Sequence, residues 1–274
     1  MLVTYSRLEH AELYHTSHDG IEGGLSRAAV LLDFPIALVA IALTLVAVPA
    51  LPRAAWWAAG VAVALCAVVA WPGVVDQDDL DARLVNAVPA LGVLLALVLT
   101  LVATKRAGTG FASRRPWDPA RAIVAALVVL ASLPWLAAEI GFHFPGDVFM
   151  GEELGIDDDG ALVAAVHLGH HHGTDGALLV LTALLLSRMR LPDGRLQIAV
   201  AAYLGPMLSY GAVNLVQDLW LEQVVKRGWT GHEIPSALEP GPRPIWIVVL
   251  GLAALATVAL LRENKLQRQW RPHE

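Results

Sequence analysis

Cysteine is almost missing from this sequence: Cys66 stands alone, inside an apolar run. No intrachain disulfide can form, and multi-thiolate metal sites are excluded. Charge is scarce as well. Of 274 residues, 16% are charged and 56% hydrophobic, whereas soluble domains carry roughly 25% charged residues. Mean hydropathy is +0.57. The connections between apolar stretches are too short for a soluble domain, and no internal repeat of about 20 to 50 residues recurs. Residues 1–27 lack the basic start, apolar run and small-residue cleavage site of a secretory signal, so the first helix is expected to direct insertion. Neither a phosphate-cradling glycine loop nor a Ser-His-Asp nucleophile pattern is present. The basic residues read as topological, which leaves nucleic-acid binding without support.

What the chain does have is apolar length. A membrane-crossing helix needs about 20 apolar residues, because the hydrocarbon core is about 30 Å thick. About seven stretches qualify: Ala28 to Val48, Ala54 to Trp71, Leu84 to Ala103, Ala122 to Ile140, Ala161 to Ser187, Leu196 to Leu219 and Ile245 to Leu261. The pattern predicts an all-α polytopic transmembrane bundle. Pro35, Pro134 and Pro206 fall inside these stretches, where each is expected to kink its helix or free a carbonyl. Trp56, Trp57 and Trp71 flank the short second stretch and suit the membrane interfaces.

Lys and Arg sort between alternate connections. Arg53, the run from Lys105 to Arg121, the run from Arg188 to Arg195 and the tail from Arg262 hold 13 of the 19 basic residues. The positive-inside rule makes that set cytoplasmic, with the N-terminus out and the C-terminus in. The expected organisation is an extracytoplasmic His-containing tail over 1–27, a seven-helix domain over 28–261 and a basic cytoplasmic tail over 262–274. The cytoplasmic halves of the helices read as almost purely apolar.

Ionisable side chains within a bilayer cost roughly 2.5 to 3.5 kcal/mol each on insertion scales, so they mark candidate sites. Asp33, Glu139, Asp175 and Asp218 fall in or at the ends of the spans. Asp33 lies near enough to a span end to snorkel outward. The fifth stretch carries HLGHHHGTDG: on a continuous helix His167, His171 and Asp175 form an i, i+4, i+8 stripe with His170 beside it. Such spacing suits one metal ion. In the sixth stretch Tyr210, Asn214 and Asp218 repeat the spacing, and Gln217 and Glu222 lie near them. Antiparallel neighbours joined by a short loop can face these stripes together. Asp218 is then a ligand, a group fixing a His tautomer, or with Glu139 a catalytic acid or base. His143, Asn214, His15 and His18 are possible accessories, and Asp157, Asp158 and Asp159 are expected to cap the fifth helix.

His167, His170 and His171 spell HxxHH and His10 with His15 spells HxxxxH. These resemble two of the three histidine boxes of membrane fatty-acid desaturases and hydroxylases, a resemblance that implies a di-iron oxidase. The third box is missing, and the first precedes any span. Asp157 to Asp159 followed by His172, Gly173 and Thr174 resembles the acidic turn and His-Gly-Thr helix start of membrane-bound metal-dependent hydrolases; Asp175 and Gly176 stand where that family has His-Ser.

The expectation is a multi-pass cell-membrane protein, in contact with lipid, with a His/acid site on the extracytoplasmic side. A divalent metal, zinc favoured over iron, would serve hydrolysis of a lipid or lipid-linked substrate. The alternatives are an ion or proton-coupled transporter or metal-handling protein, and a haem-binding membrane protein.

Overall fold

The computed structural model describes residues 16–18, 20–75, 80–107, 115–139, 154–156, 162–164, 171–191, 194–225, 228–238 and 242–269. Among them are the helices α1 (Gly20–Ala47), α2 (Trp56–Ala67), α3 (Ala87–Ala107), α4 (Asp118–Glu139), α5 (His171–Leu186), α6 (Arg195–Trp220) and α7 (Ile245–Gln269). The described residues are mainly helical, with one antiparallel pair of three-residue strands, β1 (Leu154–Ile156) and β2 (Leu162–Ala164). Five helical segments among the described residues are long and apolar enough to cross a membrane: Asp33–Ala50, Arg53–Ala70, Leu84–Ala107, Arg195–Val225 and Ile245–Leu266. Helix α4 falls outside that five, and the apolar part of α5, Gly173–Leu186, is shorter.

The outward faces explain the composition. Leu91, Leu94, Leu97 and Leu101 on α3 are exposed, as are Ile123, Leu127 and Leu130 on α4 and Ile247, Leu250 and Leu255 on α7. An apolar surface of this extent is costly in water and suits hydrocarbon. Trp56, Trp57 and Trp71 are exposed at the two ends of the second span.

Two packing units share α1. Ala37, Ala40 and Ile41 pack with Ala59, Ala62, Cys66, Ala96 and Leu99 of α2 and α3. Ala42 and Val46 pack with Leu179 and Ala183 of α5 and Val200 and Leu204 of α6. Small residues set the approach. A Cβ on Gly92 would stand 2.7 Å from the Cys66 amide nitrogen, and one on Gly205 would stand 2.7 Å from the Ala253 carbonyl. With lipid outside, close backbone approach and interhelical hydrogen bonds replace the hydrophobic drive. Ser209 accordingly donates to the Val249 carbonyl at 2.6 Å, and Tyr203 to the Leu38 carbonyl at 2.9 Å.

The fifth helix differs from the expectation. It starts at His171, and Leu162–Ala164 pairs with Leu154–Ile156. A short apolar run such as Leu-Val-Ala fits strand or helix equally by periodicity, and cross-strand pairing decided it. Asp157 to Asp159, the expected caps, lie outside the described residues. Helices α1 and α6 run through Pro35 and Pro206 without a break, and α4 runs through position 134.

Candidate functional site

The α5–α6 crossing builds the polar centre. A Cβ on Gly176 would lie 2.5 Å from the Gly211 carbonyl, and one on Gly211 would lie 2.8 Å from the Gly176 carbonyl. The two backbones touch there, and only glycine on both sides permits it. One turn away, the first turn of α5 meets the last turns of α6. Asp218, 1% exposed, accepts a hydrogen bond from the Gly173 amide at 2.8 Å. Gly173 is the third residue of α5, so its N–H has no carbonyl partner within the helix. The carboxylate also faces the positive end of the helix dipole.

Around this anchor the predicted α6 stripe is buried. Asn214 is 2% and Glu222 1% exposed. Tyr210 hydrogen-bonds with Asn214 and lies close enough to Asp175 to interact with its charge. Its ring is stacked on Trp246 at 5.9 Å and meets Phe34 edge-on at 6.0 Å, which fixes it between α1 and α7. Gln217 donates to the Ile234 carbonyl at 3.4 Å. Beyond Asp218 the helix loosens into a π-helical turn, Leu221–Val225, that contains Glu222. Such turns interrupt α-helices mostly at functional positions.

The expected site residues divide as follows. Asp175, Asn214 and Asp218 come together at the α5–α6 contact. His171 begins α5, with its side chain outside the described residues, and Glu139 is the last residue of α4, with its side chain likewise outside. His167, His170, His143 and His15 lie outside the described residues altogether. The expected stripe from His167 to His171 lies outside the described residues up to His171, where α5 begins. His18 is exposed on a segment tied elsewhere: the Ser17 amide donates to both Asp81 oxygens at 3.0 and 3.1 Å. A hydrogen bond with the Ser17 side chain, then that from its amide, with a smaller contribution from His18, hold the Asp81 carboxyl below its ordinary pKa. Among the described residues, no group of three or more His, Cys, Asp or Glu could hold a metal ion.

The opposite end of α5 carries charges that sequence reasoning took as topological. Glu263 of α7 is fully buried and accepts both arms of the Arg121 fork, one at 2.9 Å and the other shorter, plus the Trp117 amide at 3.3 Å. Arg115 donates to Asn264 and to the Met189 carbonyl, both at 2.7 Å. Burial lowers the Arg115 pKa, and Glu263 opposes that shift. Arg188 grips both oxygens of Asp118 at 3.0 and 3.1 Å. The network joins the start of α4, the end of α5 and the end of α7. These charges lie just beyond the apolar stretches read from the sequence, in the segments read there as connections and tail. The missed signal was Glu263, an acid within a basic tail, which only a buried counter-charge explains.

Asp33 also departs from its expected place. It is 9% exposed, under the connection between α2 and α3, and does not snorkel.

Comparison with known protein families, characterised proteins and solved structures finds no match to this chain. The apolar helices fit an integral membrane protein, and the arrangement of its residues carries whatever further reading is made.

Proposed function

We propose that this chain is a multi-pass membrane protein of about seven spans, N-terminus out and C-terminus in, whose α5–α6 centre binds a divalent metal. The supporting observation is the buried bond from the Gly173 amide to Asp218, which fixes the first turn of α5 against the polar face of α6. In this reading His171 and Asp175, joined by His167 and His170, are the ligands. Asp218 positions the segment, since one of its oxygens is committed to the backbone. Asn214 and Tyr210 orient Asp175, and Glu139 is the candidate general base. Zinc is favoured over iron by the His and carboxylate donors. A bound metal with an open position would supply hydroxide near neutral pH, suited to hydrolysing a lipid or lipid-linked ester in the extracytoplasmic leaflet.

One observation favours a second reading, an ion or proton-coupled transporter: Asp33 is another buried acid, on α1. Elemental analysis of protein purified without chelators separates the two. About one zinc per chain, lost when His167 and His171 are both changed to Ala, supports the metal centre. Metal-free protein from the same preparation removes it and leaves transport. Reporter fusions at Asp78 and Arg114 test the orientation; a cytoplasmic Asp78 overturns the placement of the site.

A further inference from the structure

Asp33 is placed where a carboxylate is hard to keep charged. Its Oδ2 is buried and has no hydrogen-bond partner among the described residues. The Asn86 side chain lies beside the carboxyl as a hydrogen-bonding neighbour. Asn86 is itself held in place, donating from Nδ2 to the Val74 carbonyl at 2.9 Å and accepting from the Arg83 amide at 2.8 Å. Among the described residues no cation pairs with Asp33.

The surroundings are closed. Val30 and Leu80 are buried together with Val75 packed on them, one turn of α1 before Asp33. Two turns before it, the Ser26 hydroxyl donates to the Leu80 carbonyl and accepts from the Ala82 amide. The described parts of the connection, 72–75 and 80–86, are thus stapled to α1 above the acid. Among the described residues, the titratable groups on the elements packed against α1 do not neutralise it. Cys66 of α2 is buried against Gly92, the Tyr203 hydroxyl is given to Leu38, and Tyr210 and Asp175 belong to the α5–α6 centre. Of the connection's charged groups, Asp81 is bound to Ser17 and Arg83 is exposed. Lys105 and Arg106 are exposed at the far end of α3.

A carboxylate removed from water needs a paired charge or several hydrogen bonds, and among the described residues this one has the Asn86 side chain and no cation. We propose that Asp33 is a proton-binding site, sealed in the membrane domain by the connection between α2 and α3. The proposal rests on α1 and that connection alone and stands whether or not the α5–α6 centre binds metal. In a membrane protein such a carboxyl can store one proton and exchange it when the staple at Ser26 opens.

Infrared spectroscopy of the full chain in lipid nanodiscs tests this directly. At pH 5 the wild type is expected to show the carbonyl stretch of a protonated carboxylic acid, and Asp33→Asn is expected to lose it. Asp81→Asn, an exposed control, is expected to keep it. Where Asp33→Asn does not fold, Asn86→Ala carries the test, because loss of the hydrogen bond should shift the same band. A spectrum without that band, or a band unmoved by both Asp33→Asn and Asn86→Ala, overturns the proposal.

Discussion

The two ends of α5 bury charge in opposite ways. At its start, the Asp218 carboxylate accepts a backbone N–H at the positive end of the helix dipole. At its end, Glu263 is satisfied by side chains, the fork of Arg121 above all, reaching across from α4. The first solution uses an unpaired donor that every helix has, and it leaves room for neighbouring groups to bind something else. The second consumes almost all of its own donors on itself, as a structural clamp does. Burial alone therefore does not mark function; what matters is whether partners within the chain exhaust the group.

The largest effect should come from breaking the clamp. Glu263→Ala strips buried Arg121 and Arg115 of their anion and is expected to cost about 3–5 kcal/mol, read as a fall in the thermal midpoint of the purified protein. Adding Arg121→Met to that variant should recover much of the loss; a double variant no better than the single one would mean that charge burial is not the cause. Next comes the α5–α6 crossing. Gly211→Leu places side-chain atoms where the Gly176 carbonyl stands and is expected to cost about 1–3 kcal/mol or more. It should also reduce metal retention, whereas Gly251→Leu, with open space at its Cβ, should change neither.

A smaller loss is expected at the anchor. Asp218→Ala leaves the Gly173 amide unsatisfied, at a cost of about 1–3 kcal/mol. Hydrogen exchange should speed up in the first turn of α5 and stay unchanged near Ser187; uniform acceleration along α5 would contradict a local anchor. The smallest effect concerns the N-terminal segment. The pKa of Asp81 is lowered in the folded chain, so its contribution is present above the ordinary carboxylate value and is lost as pH falls through the lower folded value. Exchange of the Ser17 amide should therefore gain in relative protection above that range and lose it in acid, and Asp81→Asn should abolish the pH dependence.

Much of the architecture was legible. Apolar runs of membrane length gave helices at six of the expected positions, with α1 starting earlier, at Gly20, and α7 running on to Gln269, because a chain in hydrocarbon must satisfy its backbone internally. The α6 stripe of Tyr210, Asn214 and Asp218 was legible for the same periodic reason, and these residues do lie on one packed face. The start of α5 was not, since Leu162 to Ala164 has no periodicity that separates strand from helix. The Arg121–Glu263 pair was also hidden, because 142 residues of sequence separate its members.

The sequence by itself determined that this is an apolar helical protein with acids at particular depths, since length, hydropathy and helical period are properties of local stretches. Only the tertiary structure decided which acids are anchors, which are clamped and which, like Asp33, are sealed with an unsatisfied oxygen. Those distinctions depend on partners brought from distant segments by the glycine crossings, and a carboxyl's chemistry follows from the partners it meets.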